Sequence, residues 1–260
     1  SSGLEFTGGE LLMRTIILRR LLVRHVLEPD EEIVGILLPP SVGATLVNYA
    51  ATLSGRMAVN LNYTIGQEAM EHCARQAALA TVVTSRKFLE KVNLKPPAQA
   101  IYLEDYRAGG SPAEKLAALL AARLLPVRLL ELYCKALSHP TVDSPATIIF
   151  SSGSTGVPKG VPLTHFNVAS NIESFRQAVR FEADDRLLAA LPFFHSFGYT
   201  VSLWGSASLP FGQVLAVLLG RRRGDHQPPG APRHPGQDQD VGLAEVQPDG
   251  QGVHHLHRGD

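Results

Sequence analysis

The first hundred residues alternate between short apolar runs and longer segments in which apolar positions recur at helical spacing. A short apolar run bounded by turn residues predicts a buried strand, and a longer segment behind a capping residue predicts a helix. We therefore expect strands at 32–38, 57–61, 79–84 and 100–103, and helices at 10–27, 41–53, 67–78 and 86–92. Their alternation predicts an α/β fold with mostly parallel sheets flanked by helices.

Two long stretches, 33–55 and 187–220, contain no Asp, Glu, Lys or Arg. Each could be mistaken for a membrane span, but prolines and polar residues such as Asn48 and His195 interrupt them. We expect buried strands followed by buried helices instead. The second half of the chain predicts further strands at 148–150, 186–191 and 213–218, and further helices at 164–179 and 199–209.

Residues 112–137 form a segment rich in Leu and Ala that also carries four basic residues, Lys115, Arg123, Arg128 and Lys135. Pro126 should kink or split this helix, because proline lacks the N–H group that the helical hydrogen bond needs. Two interpretations stay open. The segment is a pair of solvated surface helices, or its basic amphipathic face contacts a membrane or an acidic carrier protein.

The composition changes abruptly at Arg221. Residues 221–260 contain no Ile, Phe, Tyr, Trp, Met, Lys, Ser, Thr, Asn or Cys, and Gly, Pro, Gln, His, Asp and Arg dominate. Such a segment buries too little apolar surface to offset the entropy lost on ordering. We therefore divide the chain into a partial domain, 1–220, and a disordered or aberrant tail, 221–260. Translation out of frame is one hypothesis for this tail, and the adjacent reading frame tests it.

Charge and cysteine content argue against several classes of function. The chain has 24 basic and 24 acidic residues, hence a formal net charge of zero, so nothing steers it toward nucleic acid. Its two cysteines, Cys73 and Cys134, are too few for a disulfide or metal framework, and we expect both to pack as small apolar groups. A reducing compartment, and hence a cytoplasmic location, is the default for such a chain.

The segment Ile148–Gly160 reads IIFSSGSTGVPKG and joins an apolar run to a loop rich in hydroxyl groups and glycine. Glycine lets the backbone turn and approach a ligand closely, and successive N–H groups in such turns bind anions. Lys159 adds one mobile positive charge. A plain turn is the alternative, but the fixed spacing of hydroxyls, glycines, proline and lysine favours a loop that holds nucleotide phosphates. The loop departs from the usual P-loop, because Gly160 rather than Ser or Thr follows the lysine.

The string SSGSTGVPKG resembles the phosphate-loop signature of the AMP-forming adenylating enzymes, which include acyl-CoA synthetases, luciferases and peptide-synthetase adenylation domains. A second string, LPFFHSFG at Leu191–Gly198, resembles the next motif of that family, which carries a histidine near the acyl pocket. The resemblance implies ATP and Mg²⁺ as cofactors. It also implies a two-step reaction, in which a fatty carboxylate attacks the α-phosphate of ATP and a phosphopantetheine thiol then displaces AMP.

The same resemblance implies roles for individual residues. Lys159 and His195 are the predicted catalytic residues. The predicted phosphate-binding residues are Ser151, Ser152, Gly153, Ser154, Thr155, Gly156 and Lys159, and Thr155 is also the predicted metal ligand. The predicted substrate pocket consists of His195, Phe197, Gly198 and Tyr199. Structural packing is the alternative role for His195 and Tyr199, and an exposed loop lysine is the alternative for Lys159.

Four stretches, 59–64, 84–89, 101–105 and 190–198, resemble the synthetase half of bacterial acyl-acyl-carrier-protein synthetases, a type often fused to a 2-acylglycerophosphoethanolamine acyltransferase. This implies a fatty acid substrate, acyl carrier protein or CoA as acceptor, and a site in the cytoplasm or at the inner face of the cytoplasmic membrane. The family's later Tyr-Gly-x-Thr-Glu and Thr-Gly-Asp motifs and its carboxy-terminal domain are absent from this sequence. We therefore expect an N-terminal fragment that is inactive, or nearly so, alone. The alternatives are an inactive nucleotide-binding fragment and a P-loop phosphotransferase.

Overall fold

The computed structural model describes residues 5–25, 27–106, 111–134, 141–151, 157–216 and 243–247. In chain order the strands are β1 (Glu5–Thr7), β2 (Ile33–Leu37), β3 (Met57–Asn60), β4 (Thr81–Thr84), β5 (Gln99–Tyr102), β6 (Pro145–Ser151), β7 (Lys159–Thr164), β8 (Arg186–Ala189), β9 (Gly212–Ala216) and β10 (Leu243–Gln247). The α-helices are α1 (Gly8–His25), α2 (Val42–Leu53), α3 (Gln67–Gln76), α4 (Arg86–Val92), α5 (Pro112–Leu124), α6 (Val127–Cys134) and α7 (His165–Ala178). A 3₁₀ turn (Leu103–Tyr106), a π-helix (Gly198–Gly205) and one α-helical turn (Ser206–Ser208) complete the described part.

A four-stranded parallel sheet in the order β3-β2-β4-β5 organises the first hundred residues. Every strand and helix predicted up to residue 103 is confirmed, with bounds within two residues of the expected ones. Strands β2, β3 and β4 are largely apolar on both faces because helices and neighbouring elements cover them, and Val34, Val59 and Val82 are fully buried. The predicted α/β fold is therefore confirmed.

The charge-free stretch 33–55 forms a buried strand and a buried helix, as predicted from the prolines and polar residues that interrupt it. Ser41 caps α2, and its Oγ accepts a hydrogen bond from the N–H of Ala44 at 3.2 Å. The polar residue of this stretch, Asn48, is buried and exchanges two side-chain amide hydrogen bonds with Asn60, at 2.8 and 3.1 Å. Among the described residues, no helix has the length and apolar character that crossing a membrane requires.

A second four-stranded sheet has the order β1-β10-β9-β8. Strand β8 runs parallel to β9, β9 runs antiparallel to β10, and β10 runs parallel to β1. Strand β10 lies within the segment 221–260, for which we predict disorder, and the rest of 217–260 lies outside the described residues. The run VGLAEV, at 241–246, is the most apolar of this segment, and both edges of β10 are paired with neighbouring backbone.

The predicted helix at 199–209 forms, but as a π-helix followed by one α-helical turn. Side chains from other elements satisfy two of its carbonyl groups. Tyr49 Oη donates a hydrogen bond to the carbonyl of Leu203 at 2.6 Å, and the Gln213 amide donates one to the carbonyl of Ser202. These bonds from outside the helix compensate for the irregular ladder, which the sequence pattern does not reveal.

Pro126 splits the segment 112–137 into α5 and α6, as predicted. Ser111 and Glu114 form a capping box at the start of α5, in which each side chain bonds the backbone N–H of the other residue. Helix α5 packs against α1, where Arg24 and Glu114 form an ion pair with an N–O distance of 2.9 Å.

Candidate functional site

An antiparallel hairpin of β6 and β7 carries the loop rich in glycine and hydroxyl groups. Ser151 and Lys159 are the last pair of its register, and Ser151 Oγ donates a weak hydrogen bond to the Lys159 carbonyl at 3.4 Å. Both residues are exposed. Five predicted phosphate-binding residues lie outside the described residues: Ser152, Gly153, Ser154, Thr155 and Gly156. The structure thus describes the base of the loop, where the two ends of the loop lie side by side.

The loop follows a strand, as expected, but this strand pairs with β7 rather than within the parallel sheet. Strand β7 is not evident in the sequence because Gly160 and Pro162 are poor strand residues. The strand forms through its pairing with β6, and proline is tolerated there because β7 is an edge strand. Strand β6 lies beside β3, and Thr147 Oγ1 donates a buried hydrogen bond to the Ala58 carbonyl at 2.6 Å.

Close packing at the base of the loop explains why position 160 is occupied by glycine. A Cβ atom at this position would lie 2.9 Å from Ile148 Cγ2 and 3.1 Å from Phe150 Cε1, so any larger residue would displace the side chains of β6. The Gly160 N–H donates a hydrogen bond to Gln76 Oε1 at 3.3 Å. Gln76, the last residue of α3, is a contact of the site that no sequence motif marks, because the contact joins residues distant in the chain.

The second motif forms a tight turn after β8. The N–H of His195 donates to the Pro192 carbonyl at 3.0 Å, and the N–H of Tyr199 donates to the His195 carbonyl at 2.8 Å. A Cβ atom at Gly198 would lie only 2.1 Å from the Pro192 oxygen, so the turn requires glycine there. His195 itself is exposed, with its ring 4.7 Å from the ring of Phe194.

The predicted pocket residues differ in exposure. Phe197 is 48% exposed, with its ring 6.0 Å from that of Phe175. Tyr199 is fully buried and donates a hydrogen bond from Oη to the Ala146 carbonyl at 3.3 Å. Burial raises the pKa of Tyr199 to about 12, so its phenol is neutral. The structure therefore brings His195 and Phe197 to the surface and packs Tyr199 in the core.

One aromatic cluster holds the two motifs. Phe150, directly before the loop, and Phe194, directly before His195, pack into the same group of apolar side chains. The ring of Tyr63 lies 5.0 Å from Phe194 and 5.0 Å from Phe88, in edge-to-face arrangements. The cluster also contains Leu37, the last residue of β2, and Leu61, which follows β3. Both motifs thus lie at the carboxyl ends of the parallel strands, where α/β proteins bind ligands.

Two of the stretches that resemble acyl-acyl-carrier-protein synthetases contact each other. Ser85 Oγ donates to Glu104 Oε1 at 2.7 Å, and the Arg86 guanidinium binds the Asp105 carboxylate through two hydrogen bonds at 2.6 and 2.9 Å. The same guanidinium lies 4.0 Å from the centre of the Tyr102 ring. These contacts give residues 84–89 and 101–105 a structural role in joining α4 to the end of β5.

A cavity of about 220 Å³ lies between α7, β6 and the end of α2. Its lining is mainly apolar and consists of Thr52, Ala146, His165, Val168, Ala169, Ile172, Trp204 and Ser208. Burial lowers the pKa of His165, because the cavity wall solvates the charged imidazolium less well than water does. No sequence motif contains His165. It is the first residue of α7, and the side chain of the preceding Thr164 caps this helix as predicted.

Both cysteines are free thiols in the core, which confirms their predicted role as packing residues. Burial raises the pKa of Cys73 to about 11 and also raises that of Cys134, so neither is a reactive thiolate. Within the described residues, no group of three or more His, Cys, Asp and Glu side chains could hold a metal ion.

A sequence profile described as "AMP-binding enzyme" matches residues 2–216. The chain belongs to the AMP-binding enzyme family. Among curated relatives, the Bacillus subtilis (strain 168) protein YngI is 37% identical over 82 residues, which make up 30% of this chain and 15% of that protein. The long-chain-fatty-acid–AMP ligase FadD32 of Mycolicibacterium smegmatis is 26% identical over 191 residues, or 70% of this chain and 27% of that protein.

Solved structures of this family share the fold. O-succinylbenzoate coenzyme A synthetase (MenE) from Bacillus subtilis, in complex with AMP, superposes with a TM-score of 0.59 at 22% identity, over 76% of this chain and 46% of MenE. The same enzyme has also been solved in complex with ATP and magnesium ion. This AMP-binding chain therefore spans less than half the length of each of these three relatives.

Proposed function

We propose that the protein containing this AMP-binding chain activates a fatty acid with ATP and releases pyrophosphate, then transfers the acyl group from the adenylate to a phosphopantetheine thiol of acyl carrier protein or CoA. The observation that carries the proposal is the β6–β7 hairpin. It places the exposed Ser151 and Lys159 side by side at the base of a loop rich in glycine, serine and threonine.

The donors at the base of this loop fit a polyphosphate. Ser151 supplies a hydroxyl group and Lys159 an ammonium group, and both are exposed to solvent. Hydrogen bonds to ionised phosphate oxygens are stronger than neutral ones, and fixed donors stabilise charge as it develops in the transition state. Bound magnesium would neutralise part of the phosphate charge and orient the phosphates. Thr155, its predicted ligand, lies outside the described residues.

His195 is proposed to orient the carboxylate of the acid substrate. Its exposed imidazole rests on the buried Phe194, which is held in the aromatic cluster, so the ring has a fixed support. The half-exposed Phe197, whose ring packs against that of Phe175, offers an apolar surface that suits an acyl chain.

A fatty acid is the favoured substrate because FadD32 is a long-chain-fatty-acid–AMP ligase. ATP and magnesium are the favoured cofactors because MenE, a coenzyme A synthetase, was solved with AMP and with ATP and magnesium. The resemblance of stretches 59–64, 84–89, 101–105 and 190–198 supports acyl carrier protein as the acceptor, and a cytoplasmic site for the reaction.

ATP binding to the 260-residue chain tests the phosphate loop without requiring turnover. We expect Lys159→Ala to raise the Kd for ATP by about ten- to a hundredfold, which corresponds to the loss of one charge-assisted hydrogen bond. The stability of the variant should not change, because Lys159 is exposed. The matched control is Lys91→Ala, another exposed lysine, which lies on α4. Equal affinities of the two variants would remove Lys159 from the phosphate site.

Product analysis then separates the proposed ligase from its alternatives. Fatty-acid-dependent exchange of pyrophosphate into ATP supports adenylate formation, and ADP as a product would support a phosphotransferase. ATP binding without exchange supports the inactive nucleotide-binding fragment that we expect this chain to be when alone.

A further inference from the structure

Helices α5 and α6 present leucine side chains to solvent. Six leucines, here called the leucine face, are between 38% and 71% exposed: Leu116, Leu119, Leu120, Leu124, Leu129 and Leu132. The buried residues of α5 are instead the small Ala118 and Ala121, on the helix that packs against α1. A helix of a soluble domain normally turns its leucines inward and its small or polar residues outward. The reversal on α5 indicates a surface that binds something apolar.

Basic residues surround this face. Lys115, Arg123 and Arg128 are exposed among the leucines. On α5, the carboxylate of Glu114 is engaged by Arg24 and by the Ser111 cap. Helix α6 contains one acidic residue, Glu131, whose side chain lies outside the described residues. The net charge of residues 115–134 is +2, from three basic residues and one acidic residue.

We propose that the leucine face binds an anionic membrane surface, with α5 and α6 lying in the plane of the lipid headgroups. Apolar side chains flanked by Lys and Arg are the pattern by which helices lie in this interface, and each basic residue near an anionic leaflet strengthens binding. Leu116, Leu120 and Leu124 follow each other at intervals of four residues and thus form one stripe along α5, which is about 20 Å long. The proposal does not depend on the ligase function.

Two other occupants fit the surface less well. A second copy of this chain would bring two basic faces together, and the like charges would repel each other. Aromatic residues and methionine, which together with arginine are enriched at the centres of protein interfaces, do not occur among the described exposed residues of this face. Leucine beside Lys and Arg suits a fluid lipid surface, which needs no fixed complementary shape.

Flotation of the 260-residue chain with lipid vesicles tests the proposal. We expect binding to vesicles of phosphatidylcholine mixed with phosphatidylglycerol, weaker binding to pure phosphatidylcholine, and release at high ionic strength. Leu120→Glu and, separately, Leu124→Glu should each weaken vesicle binding at least about tenfold. Each variant lacks a leucine side chain that the lipid would bury, and each adds a negative charge that the anionic lipid repels. Arg123→Ala should weaken binding about fivefold.

Matched controls lie on other helices and loops. Phe166→Glu replaces an apolar residue that is 57% exposed on α7, and Arg180→Ala replaces an arginine whose side chain is 92% exposed. Both controls should bind vesicles like the unmodified chain, and circular dichroism should show that all variants are folded. The proposal is wrong if the unmodified chain does not float with anionic vesicles, or if the controls lose as much binding as Leu120→Glu and Leu124→Glu. If the unmodified chain does not bind vesicles but forms a dimer, and Leu120→Glu abolishes that dimer, the leucine face would instead be assigned to a second copy of the chain.

Discussion

Gly198→Ala should destabilise the fold by about 3 kcal/mol. The backbone of Gly198 is helical, so alanine is allowed there by its torsion angles, and the expected cost is purely steric. The new Cβ atom would lie 2.1 Å from the Pro192 oxygen and 2.8 Å from the Leu191 oxygen, so the turn has to shift by about 1 Å. Overpacking of this kind costs about 1–3 kcal/mol, and the shift also weakens the hydrogen bond from His195 N–H to Pro192, worth about 1 kcal/mol.

Denaturation by urea, with thermal unfolding as a second measure, tests this prediction. For a chain of this size, 3 kcal/mol corresponds to a fall in Tm of roughly 6–12 °C. Gly205→Ala is the control, because it lies at the other end of the same π-helix and its Cβ atom would meet its nearest neighbour at 3.5 Å. We expect that control to be neutral or up to about 1 kcal/mol more stable. Equal stabilities of the two variants would refute the argument that a Cβ atom at Gly198 forces a costly shift of the turn.

Two further predictions concern buried titratable groups. Tyr199→Phe should cost about 1 kcal/mol through the lost hydrogen bond to Ala146. Because the pKa of Tyr199 is about 10 in the unfolded chain and about 12 in the folded one, the unmodified protein should lose stability as the pH rises through this range. Tyr199→Phe should abolish this loss. Denaturation measured across the range tests both effects. Burial lowers the pKa of His165 below its unfolded value of about 6.5, so its contribution is present above that pH and is lost as the pH falls through the folded pKa. His165→Gln should flatten this acid limb; an unchanged pH profile would contradict the assignment.

The parallel sheet was predictable because its signals are local. Strands β2, β3 and β4 are short, largely apolar runs because both of their faces are covered, and residues such as Val34 and Val83 are fully buried. The helix starts are equally local. Ser41 and Thr164 cap α2 and α7 through hydrogen bonds within three residues of the sequence.

Elements whose existence depends on distant partners were not predictable. Strand β7 forms against β6, and β10 forms between β1 and β9, although β1 lies at the opposite end of the chain. Sequence periodicity contains no information about such pairing. The π-helix is a similar case, because the carbonyls of Ser202 and Leu203 are satisfied by Gln213 and Tyr49 from other elements.

For the candidate site, motifs indicated the chemistry but not which way each side chain faces. Lys159 and His195 are exposed, as a role in binding requires, whereas Tyr199 faces the core because its hydroxyl group bonds the Ala146 carbonyl of β6. The cavity beside His165 was not evident in the sequence, since its walls come from elements separated by more than a hundred residues, from Thr52 to Ser208.

The aromatic cluster links two motifs that lie far apart in the sequence. Phe150 and Phe194 each precede a motif, and both pack into the group that contains Tyr63. Because buried aromatic side chains are held at fixed angles by their neighbours, the position of the loop base relative to His195 is set by this cluster and not by the loop. A change at Tyr63 would therefore disturb both motifs together. A change at Phe197, which packs against Phe175 outside the cluster, would act on the second motif alone.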